Sequence, residues 1–300
     1  MSESEKKSSR RSFLARSSVA AAGAALVGSA ATAPAAEPNG SEGTVRRFEL
    51  GTVTFNLGRD MDLDTLIQTC ERTGFRAVEL RTTHRHGVEP SLSAEERKAV
   101  RARFARSDIA LFGLGTACDF HSPNRDRVQA NIESTQRFVE LAADVGAIGV
   151  KVRPNGLPEG VPVETTLEQI AASLATVGEH AARYGVEIWL EVHGPGTSHP
   201  PHIRTIMDLC GHPAVGVTWN GNDGDVKDGS VRPYFELLAP FIRCVHMRDL
   251  YIKYPYRELF GLLRSVGYDR YTLAEVGQSS DPERVMRYYR ALWEELSRPG

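Results

Sequence analysis

Val186-Glu187-Ile188-Trp189-Leu190-Glu191-Val192-His193-Gly194 reads as a buried strand. Apolar and β-branched residues lead to one carboxylate, then a His, then a Gly-Pro-Gly break. A carboxylate at the tip of an apolar strand is costly unless something positive holds it. Three later strands end in the same manner. Asn220 follows Val215 to Trp219, His246 closes Ile242 to Val245, and Glu275 closes Tyr271 to Ala274. If these strands are parallel neighbours in a closed barrel, a Glu, an Asn, a His and a Glu meet at one mouth.

The rest of the chain supports such a barrel. Strands are expected at 48–56, 76–81, 109–116, 148–153, 186–192, 215–220, 242–247 and 271–276, with helical spacing between them. Leu63, Leu66, Ile67 and Cys70 form a first apolar stripe, and Val285, Tyr288, Tyr289, Leu292, Trp293 and Leu296 form the last. Ser93 with Glu96 three residues on has the pattern of a capping box. Gly74, Gly146, Gly185, Gly211 and Gly267 follow helix ends, where glycine adopts a left-handed conformation at little cost. Eight βα units predict a (β/α)8 TIM barrel over 48–300. An open doubly wound sheet would carry a Gly-rich phosphate loop after its first strand. Here that turn is Phe55-Asn56-Leu57-Gly58-Arg59, and no nucleotide cofactor is expected.

In such barrels the chemistry sits at the C-terminal strand ends. Read in that order, they supply Arg81, His84 and His86; Cys118, Asp119 and His121; Lys151 and Arg153; Glu191 and His193; Trp219, Asn220 and Asp223; His246 and Arg248; and Glu275. Six of the nine histidines lie just past strand ends. Carboxylates and an imidazole converging on one point call for a cation. Hard oxygen ligands with one His suit Mn2+, Mg2+, Co2+ or Zn2+. Glu191 and Glu275, from different strands, fit two-sided proton transfer. Each residue also has a plainer role. Glu191 can pair with a buried cation, His246 can be a satisfied core histidine, and Asn220 can be a strand-end turn former. Lys151, Arg153, His193 and His121 are candidate substrate contacts that serve equally as solvated or backbone-bonded strand ends. Trp219 is either a sugar-stacking platform or core. Tyr251, Tyr254 and Tyr256 would suit an aromatic lid after the seventh strand.

The motifs Trp189-Leu190-Glu191-Val192-His193, Cys244-Val245-His246-Met247-Arg248-Asp249 and Leu273-Ala274-Glu275 resemble the xylose isomerase-like TIM barrels, over roughly residues 48–296. These are the sugar phosphate isomerases/epimerases, with the AP endonucleases of the same superfamily. The resemblance implies a divalent metal held by Glu191, Asn220, His246 and Glu275, with the two glutamates as acid and base. It implies substrate contact at Arg248. The family pattern has Asp where this chain has Asn220, which would weaken the metal site, change its preference or recruit Asp223. The implied activity is isomerase or epimerase action on a sugar or oxidised sugar through an enediolate. The alternatives are a lyase, such as a sugar dehydratase or 3-oxo-glycoside eliminase, and a non-catalytic carbohydrate-binding barrel.

The 300 residues are 41% hydrophobic and 25% charged, with a net charge of −2. Ser9-Arg10-Arg11-Ser12-Phe13-Leu14 resembles a twin-arginine export signal, followed by a weakly apolar run to Ala33. That run is too short to span a membrane. Residues 1–35 are therefore expected to be a signal peptide cut before Ala36, and 36–47 a linker. The protein would be exported, periplasmic or extracytoplasmic, meeting the twin-arginine machinery in transit. Without residues 1–35, which hold five basic and two acidic side chains, the net charge is −5. An acidic surface argues against a nucleic-acid partner. The expected partner is a small-molecule carbohydrate, with a possible homo-oligomer left open. No C-x-x-C pair occurs among Cys70, Cys118, Cys210 and Cys244, so free buried thiols are expected.

Overall fold

The computed structural model describes residues 48–299, so the proposed signal peptide and linker lie outside the described residues. Eight parallel strands close into a barrel in sequence order: β1 (Glu49–Val53), β2 (Ala77–Arg81), β3 (Ala110–Asp119), β4 (Gly149–Arg153), β5 (Glu187–Glu191), β6 (Val215–Trp219), β7 (Ile242–Met247) and β8 (Tyr271–Ala274). The helices between them are α1 (Leu63–Thr73), α2 (Ala94–Ala105), α3 (Arg125–Val145), α4 (Val163–Arg183), α5 (Pro200–Cys210), α6 (Arg232–Leu238) and α7 (Tyr256–Ser265), and α8 (Pro282–Leu296) ends the chain.

Local signals set the helix ends. Asp62 caps α1 by accepting from the Thr65 N–H at 2.8 Å, and Ser93 with Glu96 forms the expected capping box on α2. Gly74 and Gly146 end α1 and α3 at φ +77° and +87°. On α8 the buried residues are Met286, Tyr289 and Trp293. Tyr288 belongs to the same sequence stripe but points into solvent, because α8 covers the barrel with one narrow face. β3 runs three residues longer than its sequence pattern, past a break in register with β4, and takes in Cys118. All four cysteines are buried free thiols.

The period of two along each strand sorts side chains between two cores. Outward residues such as Ile188, Leu190, Val217 and Val245 pack under the helices. Inward residues stack in layers. At the lower end Glu187 takes a two-pronged ion pair from Arg270 at 2.6 and 2.8 Å. Above it Phe112, Trp189, Cys244 and Leu273 fill the middle. The Trp189 indole lies across β3 and β4 because Gly113 and Gly149 offer no side chain there. A Cβ on Gly113 would sit 2.6 Å from the indole, and one on Gly149 would overlap it. This apolar plug is the floor on which the polar layer rests.

Candidate functional site

The next inward layer consists of charged or imidazole side chains. Two residues beyond Trp189 comes Glu191, two beyond Cys244 comes His246, two beyond Leu273 comes Glu275, and two beyond Ala77 comes Glu79. Glu79, Lys151, Glu191 and His246 are buried, and Glu275 is partly exposed at the mouth. One step further out are Arg81, Arg153, His193, Asn220 and Arg248. They line a cavity of about 380 Å³ with Lys151, Glu191, Glu275, Phe55 and Asn222. A larger depression of about 460 Å³, lined by Phe48, Arg76, Arg290 and Trp293, opens at the N-terminal strand ends, the face that serves stability in these barrels.

His246 is the hub. Its Nε2 lies 3.0 Å from Glu79 Oε2, and its Nδ1 lies 3.7 Å from both Glu191 Oε1 and Glu275 Oε2. With Nε2 turned to Glu79, Nδ1 is the nitrogen that faces the cavity. Glu191 is held by its other oxygen, which accepts from Lys151 Nζ at 2.7 Å. Glu79 fits beneath because β3 has Gly115 beside it, where a Cβ would stand 2.6 Å from Glu79 Oε1.

Burial alone would raise the proton affinity of Glu191, but the Lys151 ammonium and the His246 imidazole outweigh it and hold the carboxyl below its usual range. Glu275 lacks the lysine that Glu191 holds. Burial raises it, and the Glu191 charge adds to the rise against the pull of His246. Burial would lower His246, yet the Glu79 carboxylate against its ring raises it well above an ordinary histidine.

The donor set fits a divalent ion. Glu191, His246 and Glu275 each offer one ligand atom, all within 4.8 Å of one another. Ligands about 2.1 Å from one ion stand about 3–4 Å apart. Two buried atoms without a hydrogen-bond partner complete the case: His246 Nδ1 and Asn220 Oδ1. Glu191, Asn220, His246 and Glu275 would be the ligands.

Several expected residues take other places. Trp219 does not face the cavity. It is an outward residue of β6, fully buried, packed on Phe235 and donating from Nε1 to Tyr254 Oη at 3.0 Å. Its odd parity relative to Asn220 turns it away from the mouth. His121 also lies outside this cavity. It sits 3.4 Å from Asp119 and lines a separate depression with Arg127, Asn155 and Pro195, because β3 continues upward and carries the residue past the rim. Asp223 is not recruited to the ion site; it is exposed and pairs with Arg248 at 2.5 Å. Tyr254 and Tyr256 form a buried aromatic wedge, ring centroids 4.7 Å apart, so only Tyr251 stands free. Lys151, Arg153, His193 and Arg248 do line the cavity.

Two residues of the site, Glu79 and Phe55, were not singled out from the sequence, and Arg81 appeared there only as one strand-end residue among many. Glu79 carried a signal: a carboxylate inside Ala77-Val78-Glu79-Leu80, on the inward parity. Arg81 follows on the same parity. Phe55, just past β1, is 41% exposed at the mouth and stacks on His84 at an interplanar angle of 14°. It offers the apolar face that Trp219 does not.

A closed parallel eight-stranded barrel with helices between its strands and a polar cluster at its C-terminal mouth defines a (β/α)8 barrel. Residues 67–295 match the model of the xylose isomerase-like TIM barrel family, and the chain belongs to that family. No curated protein sequence matches it. Among solved structures it is similar to the 3-keto-D-glucoside 4-epimerase YcjR from E. coli, at 15% identity and a TM-score of 0.69, covering 83% of this chain and 100% of that one. It is similar to the IOLI protein with a binding zinc atom, at 14% identity and 0.70, covering 83% and 98%. It is also similar to D-psicose 3-epimerase from Clostridium cellulolyticum H10, crystallised with D-tagatose, at 13% identity and 0.72, covering 84% and 100%. At these identities the likeness is one of fold.

Proposed function

We propose that this protein is a sugar isomerase or epimerase that moves a proton at a carbon next to a carbonyl. The observation that carries the reading is the convergence of Glu191, His246 and Glu275 at one point of the barrel mouth. Glu191 comes from β5 and Glu275 from β8, three strands further round the barrel, so the two carboxylates reach a bound sugar from different sides. Removing a proton from one side and returning one from the other inverts a carbon; returning it to the neighbouring carbon isomerises. A divalent ion held by Glu191, Asn220, His246 and Glu275 would polarise the carbonyl and stabilise the charge that develops on its oxygen. Lys151 keeps Glu191 in place and ionised. Phe55 packs against the apolar face of the ring, and His193 and Arg248 supply hydrogen bonds to hydroxyl groups. The names of the structural neighbours, two sugar epimerases and a zinc-bound protein, support a carbohydrate substrate and a metal. The motif at Ser9–Leu14 supports a reaction outside the cytoplasm.

The test is a screen of free and oxidised sugars by NMR in D2O with Mn2+, Co2+ or Mg2+ added. Solvent deuterium should enter one C–H position, and Glu275→Gln should slow its entry by about 10²–10⁴-fold. An epimer, an isomer and an alkene give different spectra, so the lyase outcome is read in the same tube. Metal-independent binding without exchange on any ketose, aldose or 3-oxo-sugar would leave only a carbohydrate-binding barrel.

A further inference from the structure

Three cations enter the cavity from β2 and β4: Arg81, Lys151 and Arg153. Lys151 is engaged by Glu191 at 2.7 Å. The two arginines are not so engaged. Among the described residues neither guanidinium has a carboxylate within 4.0 Å, and the Arg153 fork reaches only the Ala117 carbonyl, at 3.3 Å. Arg81 Nη1 and Arg153 Nε are buried without a partner, and so is Nδ1 of His193 on the neighbouring strand end. The acidic groups below favour the Arg81 charge from a distance, but none of them forms an ion pair with either guanidinium. Glu79 is taken by His246, Glu191 by Lys151, and Glu275 faces the His246 ring.

The strand between them brings the arginines together. Arg81 of β2 stands in register with Gly115 of β3, and Gly115 with Lys151 of β4, two residues before Arg153. Gly115 adds no side chain between them, and a Cβ there would already touch Arg81 Cδ at 3.4 Å. Burial first, and then the like charge of Arg153, works against the Arg81 guanidinium and outweighs the favourable charges of Glu191, Glu79 and Glu275. An arginine does not shed its proton to escape such a place. Two unpaired guanidiniums with buried N–H groups at one wall of a ligand cavity form a receptor for an oxyanion, because the planar fork matches a carboxylate or a phosphate.

We infer that the substrate carries an anionic group, a carboxylate or a phosphate, which Arg81 and Arg153 hold on the β2–β4 side of the mouth while the reacting carbons face Glu191 and Glu275. This rests on the sugar-enzyme function proposed above and narrows its substrate class to acidic sugars.

The experiment is equilibrium binding of D-glucuronate, D-glucose 6-phosphate and D-glucose to the full-length metal-loaded protein, at matched ionic strength. At least one acidic sugar should bind about tenfold tighter than D-glucose, and which one does separates carboxylate from phosphate. The Arg81→Gln/Arg153→Gln variant should lose that preference, so that the acidic sugar binds no tighter than D-glucose. Equal binding of all three sugars, binding of none, or a preference that survives the double substitution would overturn the inference. If the double variant does not fold, Arg153→Lys keeps the charge without the fork and should lower the preference at least about threefold. An unchanged preference there overturns it as well. Removing one of two facing like charges by Arg153→Met should raise the ligand-free melting temperature; a fall would show that the arginine has a partner. These readouts need no turnover. Absent deuterium exchange therefore counts against the proton-transfer function, and absent anion preference counts against the clamp.

Discussion

Nε2 of His246 and Oε2 of Glu79 lie 3.0 Å apart in the barrel interior, on the side of the imidazole away from Glu191 and Glu275. Glu79 thereby orients the ring and fixes which nitrogen faces the cavity. A carboxylate behind a ligating histidine also raises its basicity. Glu79→Gln keeps an acceptor for the Nε2–H but removes the charge. Divalent-metal affinity, measured against a competing chelator, should fall about 10–100-fold with the fold intact. Unchanged affinity would mean that His246 is not a ligand.

Asn220 offers a neutral carbonyl to the same site, and its Oδ1 is buried without a partner. Ligand charge tunes affinity for hard cations. Asn220→Asp should therefore tighten divalent-metal binding by about tenfold or more. Direct titration with Mn2+ checks it, and equal affinity in both proteins would remove Asn220 from the ligand set.

The floor of the site depends on the empty space at Gly149. Gly149→Ala pushes a methyl group into the Trp189 indole and should cost about 1–3 kcal/mol in urea denaturation. Trp189→Leu removes the obstacle. In the double variant the two costs should fall short of additivity by about 1 kcal/mol or more. Strict additivity would show that the two sites do not press on each other.

Asp225 gives a pH signature apart from the carboxylate cluster. Burial lifts its carboxyl from the ordinary 3.8 to about 7, against the hydrogen bond it accepts from the Asn222 N–H. Between those values the folded chain holds a proton that the unfolded chain has released. Stability from this group is thus greatest below about pH 4 and is lost as the pH rises through about 7. Asp225→Asn keeps an acceptor for the Asn222 N–H and cannot ionise. Between pH 5 and pH 8 it should lose less stability than the wild type, by on the order of 2 kcal/mol. Parallel pH slopes for the two proteins would refute this.

The arithmetic of the strands was legible in the sequence. Eight apolar runs ending in polar residues, glycines after helix ends and a capping box at Ser93 all arise from interactions within a few residues, so they survive being read one segment at a time. Parity along a strand is equally local. It puts Lys151 and Arg153 on one face, and applied to β2, β5 and β6 it also marks Glu79 and Glu191 as inward and Trp219 as outward. What only the tertiary structure decided is which side chains meet. Glu79 reaches His246 across 167 positions of chain, Lys151 reaches Glu191 across 40, and Asp223 turns out to Arg248 instead of in to the ion site. Those pairings depend on closure of the sheet and, for Glu79, on the side chain that Gly115 lacks. A contact between distant strands is a property of the closed barrel, and no single segment contains it.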